Sequence, residues 1–382
     1  MLYSFNINKQ LYFCQRSVKF MQDIHTEIVP VHSSHPETAI IERAAEMIRR
    51  GDVVVFPTET VYGLGADALQ PSAVERIFAA KGRPLSDPLI VHIADEQALE
   101  QLTTSVSDQA RRLAEVFWPG PLTMILPRRP LVPLLVTAGL ETVAVRMPRH
   151  PVALALIRVA GTPIAAPSAN RFMHVSPTTA QHVYADLHGR VPLILDSGPC
   201  EVGVESTVLD MCAPVPTILR PGGISIESLR HILPDVQLAV PKHAIHAESK
   251  TQDMTQYTSP GQMLTHYAPA VPLLLFDGTV EAMRRAMLAE VRRRSAQGES
   301  VGVLVADDDV PIFQESGALI HSLGNAADPQ QVASSLFAGL RHLENAGVQG
   351  ILCRNFTESG LGLAIRDRLL KAAGSRMQTC QG

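Results

Sequence analysis

Short aliphatic and β-branched runs, separated by amphipathic stretches of about 10–20 residues, recur through most of this chain. That alternation restricts it to an α/β fold, because strands of this kind bury both faces and need helices to cover them. The spacing predicts a first helix from Pro36 to the stop at Gly51, then a buried strand over 52–56 that breaks at Pro57 into a two-glycine loop over 58–65. Helices follow over 71–80, 107–117, 150–159 and 178–187, and strands over 89–93, 122–126, 142–147, 163–166, 192–196, 205–210 and 216–220. Several of these strands are neighbours in sequence, so the reading is a mixed sheet with helices on its faces. Residues 241–262 are polar and poor in large aliphatics, the composition of a linker or covering loop. From residue 271 the pattern runs strand, helix 279–296, strands 301–306 and 318–323, helix 328–346, strand 348–353 and helix 361–373, as in a small parallel-sheet domain.

The 382 residues fit two domains, here 36–230 and 270–382, joined by a linker over 231–269 and preceded by an extension over 1–35 without a clear period. A patterned sequence begins only after Met21, which makes Met21 a second candidate start. With 46% apolar residues the chain can bury a core, which excludes global disorder. Its 33 basic and 37 acidic residues exclude a polyanion-binding surface all round, so any affinity for phosphate must be local. No run reaches the roughly 18 apolar residues of a membrane span, and the N-terminus lacks the pattern of a secretory signal. Five scattered cysteines without a Cys-x-x-Cys pair fit reduced thiols in the cytoplasm better than a disulfide frame or zinc site.

No P-loop, G-x-S-x-G elbow or H-E-x-x-H motif is present. Ser359-Gly360-Leu361-Gly362 enters the last helix and reads as a packing turn. The polar signals sit instead at strand ends. Lys81-Gly82-Arg83-Pro84 places two cations around a glycine, which makes either a stiff anion-binding corner or a helix C-terminus favoured by its dipole. Pro167-Ser168-Ala169-Asn170 follows a strand with small donors that suit phosphate or ribose, or an ordinary turn. Arg146 ends the strand TVAVRM and faces either solvent or a ligand carboxylate; Arg220 either closes on a phosphate or simply precedes a glycine turn; His92, alone, would be an ordinary core histidine. Together these residues put several cations and hydroxyls at the edge where open α/β sheets bind ligands, which favours a small anionic ligand.

Residues 36–225 resemble the YrdC-like domain, through FPTETVYGLGADA (56–68), KGRPLSDPLIVHI (81–93), FWPGPLTMIL (117–126), TVAVRMPRHP (142–151), APSAN (166–170), VSPTTA (175–180), GVESTV (203–208) and LRPGGI (219–224). With SPGQMLTHYAP (259–269) and GLGLAIRDRLLKAA (360–373), the chain is similar to the long, two-domain threonylcarbamoyl-AMP synthase family. The resemblance implies a YrdC-like mixed, twisted sheet with a concave cleft, and a smaller C-terminal Rossmann-like domain. It implies a nucleotidyltransferase reaction in which L-threonine, bicarbonate or CO2, and ATP (with Mg2+) give threonylcarbamoyl-AMP and pyrophosphate. A partner transferase then modifies an adenosine beside the tRNA anticodon. Carried over by motif, Lys81, Arg83, Asp87, Thr142, Ser168, Asn170, Ser176, Arg220 and the linker residue His266 hold ATP, with Lys81 and Arg83 as the catalytic cations. Thr60, His92, Arg146, Ala166 and Ser206 hold threonine. No residue set is implied for a metal of the protein's own.

Two positions depart from the family pattern, since Met173 and Ser197 stand where glycine is expected. If the backbone at 173 has positive φ, methionine strains the loop beside the adenylate. The polar linker is expected to close over the loaded cleft and exclude water from a labile anhydride. The rival readings are a non-catalytic RNA-binding module and a different carbamoyl transferase, whose extra metal-binding segments this chain lacks.

Overall fold

The computed structural model describes residues 24–239 and 267–381. In the larger domain, β1 (Glu27–Pro30), β2 (Val54–Phe56), β3 (Gly63–Asp67), β4 (Ile90–His92), β5 (Leu122–Pro127), β6 (Thr142–Arg146), β7 (Ile164–Ala165), β8 (Leu193–Asp196), β9 (Thr207–Asp210), β10 (Thr217–Arg220) and β11 (Gln237–Leu238) form one mixed sheet. Its order is β1-β8-β2-β3-β7-β4-β6-β5-β9-β10-β11. Parallel pairs such as β4–β6 are mixed with antiparallel ones such as β5–β6, β4–β7 and β9–β10.

Local sequence accounts for most elements. The helix Pro71–Lys81 opens on proline and stops at Gly82, whose φ of 66° is open to glycine without cost. The helix Asp108–Phe117 is capped by the Ser107 hydroxyl, which accepts from the Ala110 N–H.

Three expectations need correcting. The two-glycine stretch is not a loop throughout, because Gly63–Asp67 is β3, antiparallel to β2. Glycine serves there because a Cβ on Gly65 would lie 2.6 Å from the Phe56 ring and 2.7 Å from Ile164. The sheet also begins earlier and ends later than the patterned region, since β1 within the supposed extension pairs with β8 and β11 within the supposed linker pairs with β10. These edge strands are short and borrow their order from a neighbour, so their own periodicity is weak. The helices Glu96–Leu102 and Ile226–Arg230 and the final strand were too short to read from pattern. The remainder of the N-terminal stretch and most of the polar linker lie outside the described residues.

In the smaller domain β12 (Leu273–Gly278), β13 (Val301–Val305), β14 (Leu319–Ser322), β15 (Gly350–Arg354) and β16 (Met377–Cys380) form a sheet ordered β14-β13-β15-β12-β16, with every pairing parallel. The helices Val280–Ser295, Pro329–Asn345 and Gly362–Ala373 cover it. Among the described residues no helix is long and apolar enough to cross a membrane.

The two domains share a buried interface. Val61, Val175, Val202 and Val204 of the larger domain belong to one buried apolar cluster with Leu336 and Phe337 of the smaller. Charge is buried there too, as Arg341 donates to Asp186 at 2.8 Å. His174 lies between two carboxylates, with Nδ1 2.9 Å from Asp186 and Nε2 3.1 Å from Glu344. Burial alone would lower its pKa; the hydrogen bonds to Asp186 and Glu344 outweigh that and raise it, against repulsion from Arg341. Arg171 also faces Asp186, at 4.0 Å, and the Ala270 N–H donates to Glu344. Because both carboxylates only accept, this setting favours the protonated ring, in which both nitrogens donate. A raised folded pKa makes this contribution to stability full below the unfolded value of about 6.5 and lost as pH rises through the folded value. Urea midpoints of the wild type should therefore fall from pH 6 to 8 more steeply than those of His174→Gln, and parallel curves would rule out this contribution of His174.

Candidate active site

Strand alternation sorts the larger sheet into two faces. Val91, Val145, Met124 and Leu209 enter the main core, while Ile90, Ala144, Ile125 and Val208 form a separate small cluster on the other face. By the same period His92 follows Ile90 and Arg146 follows Ala144, and β4 and β6 pair His92 directly with Arg146. Thr123 precedes Ile125 on that face and pairs with Val208. Arg220 should by alternation share the core side with Ile218. A register shift between Ile218 and Arg220 in the β9–β10 ladder instead sets Arg220 opposite Val208. This local bulge re-aims the guanidinium into the cleft.

The resulting cleft spans about 560 Å3, its open mouth included, on that concave face. His92, Arg146 and Arg220 are the last residues of β4, β6 and β10, as the strand-end reading expects, and the residues Thr60 and Ser206, which precede β3 and β9, join them in the hollow. Arg83, Arg146 and Arg220 line it together with Thr60, His92, Ala166, Ser168 and Ser206.

Each arginine is held by buried partners. Arg146 ion-pairs with Glu59 at 2.7 Å, donates to Thr60 Oγ1 at 2.9 Å and to the Gly120 carbonyl at 3.3 Å. Arg83 ion-pairs with Asp87 at 2.9 Å and donates to the Pro88 carbonyl. Arg220 donates to the Ser206 carbonyl at 3.0 Å and hydroxyl at 3.2 Å, and Ser206 in turn shares a 2.8 Å hydrogen bond with Thr123. Three guanidiniums in one buried hollow repel one another, so the positions are stable only with these carboxylates and carbonyls behind them. His92 is 3% exposed, and burial, then the Arg146 charge, push its pKa down to about 3. The ring is therefore neutral at ordinary pH and can hydrogen-bond a ligand but not serve as a cation.

The remaining predicted site residues that the structure describes do not line the hollow, though Lys81, Asp87 and Ser176 contact residues that do. Lys81 is buried and its Nζ donates to the carbonyls of Ser168 and Asn170, both at 2.5 Å. Burial, then the Arg83 charge, lower its pKa. Lysine at this corner therefore grips the 168–170 loop from beneath. Asn170 donates to the carbonyls of Arg171 and His174 and shapes the same loop. Ser176 donates to Glu205 at 2.5 Å, Asp87 backs Arg83, and Thr142 sits at the half-buried start of β6. His266 lies outside the described residues. Met173 has φ of 68°, so the strain expected from its position is present, and its carbonyl accepts from the Ala268 N–H. Ser197 has no such strain; the left-handed residue there is Gly198, with φ of 88°. Met173→Gly should relieve the backbone and raise stability by about 0.5–1 kcal/mol after the entropy of glycine is subtracted. A lowered thermal midpoint would instead show that Met173 contacts outweigh its strain.

Residue type and spacing did not single out Glu59, Thr123, Glu205, Tyr267 or Arg368. All five lie inside quoted motif segments, but each acts through a partner far along the chain, which spacing does not reveal. Among the described residues no group of three or more His, Cys, Asp or Glu side chains could hold a metal ion.

Comparison with known proteins agrees with this geometry. The family model described as Telomere recombination, which groups Sua5, YciO and YrdC, matches residues 46–222, and the model described as Threonylcarbamoyl-AMP synthase, C-terminal domain, matches residues 224–374. A Bacillus subtilis protein named Threonylcarbamoyl-AMP synthase is 45% identical over 88% of this chain and 94% of its own length. One of the same name from Schizosaccharomyces pombe is 40% identical over 91% of each chain. The crystal structure of Pyrococcus abyssi Sua5 complexed with L-threonine superposes with a TM-score of 0.86 at 40% identity, covering 93% of this chain and all of that one. With both domain models matched in order and full-length relatives at this identity, the chain belongs to the Sua5/YrdC family of threonylcarbamoyl-AMP synthases.

Proposed function

We propose that this chain condenses L-threonine, bicarbonate or CO2, and ATP into threonylcarbamoyl-AMP and pyrophosphate, and that a separate cytoplasmic transferase passes the threonylcarbamoyl group to an adenosine of tRNA. The observation that carries the reading is the convergence of Arg83, Arg146 and Arg220 with the hydroxyls of Thr60, Ser168 and Ser206 on one concave face. Relatives that share both domains are named as synthases, and the P. abyssi relative takes L-threonine, which favours catalysis over an RNA-holding module.

The chemistry explains the charge. The neutral threonine amine adds to CO2 and loses a proton, leaving an N-carboxylate. One oxygen of that anion attacks the α-phosphorus of ATP, forming the P–O bond as the bond to pyrophosphate breaks. Both reactants are anionic, so the cleft must first cancel their repulsion. We assign Arg146, with Thr60 and neutral His92 beside it, to the threonine end. Arg83, Arg220 and Ser168 take the nucleotide end, and the Lys81 grip keeps the 168–170 loop at the height the phosphates require. Mg2+, arriving on the triphosphate, would neutralise phosphate charge. The donor set fits such a transient ion rather than a caged one, because the cleft carboxylate, Glu205, is already engaged by Ser176 and Arg368.

Pyrophosphate release measured with threonine and bicarbonate each omitted in turn tests the reading. Release is expected only with both present, and release independent of threonine would exclude it.

A further inference from the structure

We infer that Arg368, on the last helix of the C-terminal domain, is a positioning residue of the catalytic cleft, acting through Glu205 and Tyr267. The inference rests on the synthase reading and assigns the smaller domain a part in the reaction geometry.

Arg368 has no exposed side-chain surface, yet it carries a charge across the domain boundary. Its Nε donates to Glu205 Oε2 at 2.6 Å, and its guanidinium carbon lies 5.0 Å from the centre of the Tyr267 ring. Glu205 and Tyr267 both line the cleft. Tyr267 is also stacked on Phe337 of the same small domain, ring centres 5.7 Å apart and planes within 25°. The smaller domain thus holds one wall of the cleft by two contacts.

Glu205 passes this hold inward. Its other carboxylate oxygen accepts from Ser176, and its backbone carbonyl accepts from the Gly223 N–H. The next residue is Ser206, which sets the Arg220 guanidinium by carbonyl and hydroxyl. A buried carboxylate is stable as an anion only with a cation and hydrogen bonds around it. Arg368 is the cation in direct contact, with Asp367 and Lys371 completing the charge balance on its own helix. Without Arg368, Glu205 would seek the next cation, Arg220, and pull it from the nucleotide. A merely structural bridge would have no reason to end on two residues of the cleft wall.

The test compares Arg368→Lys, Glu205→Gln and the double variant in the full-length protein. Lysine keeps the charge but loses the planar fork. Arg368→Lys should stay folded and lose about tenfold in kcat/KM for ATP, with KM for threonine moved far less, since a factor of ten is the scale of one misplaced charged hydrogen bond. If Arg368 acts through Glu205, the double variant is no worse than the poorer single variant. Losses that multiply in the double variant, or wild-type kinetics in folded Arg368→Lys, would overturn the inference. If Arg368→Lys does not fold, Phe337→Leu tests the same wall through Tyr267 and should selectively weaken ATP use; unchanged ATP kinetics there would count equally against it. A wild-type protein that releases no pyrophosphate with threonine and bicarbonate would instead fault the synthase reading.

Discussion

Arg146→Ala should both destabilise the protein and abolish use of threonine. The guanidinium is 4% exposed and sits 2.7 Å from Glu59, itself 2% exposed. Deleting the cation leaves a carboxylate in a buried site, a loss of about 3–5 kcal/mol when one member of a buried pair is removed. Thr60 and the Gly120 carbonyl lose a donor as well. The functional loss has a separate origin, because the same group is assigned to the threonine carboxylate. A bidentate clamp that also fixes the nucleophile is worth roughly 100-fold or more in kcat/KM. Arg146→Ala combined with Glu59→Gln separates the two effects. The double variant should recover most of the denaturation midpoint by removing the stranded charge, while threonine-dependent pyrophosphate release stays near background. Recovery of both, or an unchanged KM for threonine, would contradict the assignment.

Arg83→Ala should lose about 3 kcal/mol of transition-state stabilisation, roughly 10²-fold in kcat/KM for ATP, with a smaller effect on folding. Asp87, its buried partner, already has its pKa raised by burial in spite of the Arg83 charge beside it, and can take up a proton when the arginine is gone. Lys81 provides the contrast. Its ammonium bridges two carbonyls of the 168–170 loop, so Lys81→Met should weaken ATP binding by loosening that loop and should lower the thermal midpoint as well. Steady-state kinetics with thermal melts of both variants distinguish the cleft cation from the loop clamp. Arg83→Ala with near wild-type turnover would return Lys81-Gly82-Arg83 to a plain helix end.

Much of this was readable in advance. The buried runs that became β2, β4, β6 and β13 announced themselves by β-branching and length, and the helix Pro71–Lys81 by its opening proline and closing Gly82. The motif segments named the family and with it the reaction. Other features escaped because their signal lies in a partner. The strand β1 is ordered by β8, far along the chain, and Gly65 is a strand residue because Phe56 and Ile164 leave no room for a side chain.

The site divides in the same way. Residue types alone marked Arg83, Arg146 and Arg220 as cations worth explaining, but only the β4–β6 register puts His92 beside Arg146. Period-two patterning is a property of the local chain, and so are caps and turns; sequence by itself determined these. Tertiary structure decided the rest. Only the fold shows that a bulge turns Arg220 toward the cleft, that Lys81 grips a loop from below, and that Glu59 and Arg368 stand behind the visible residues. The physical reason is that a buried charge is set by whatever neutralises it, and here those neutralising groups come from residues as much as 163 positions away.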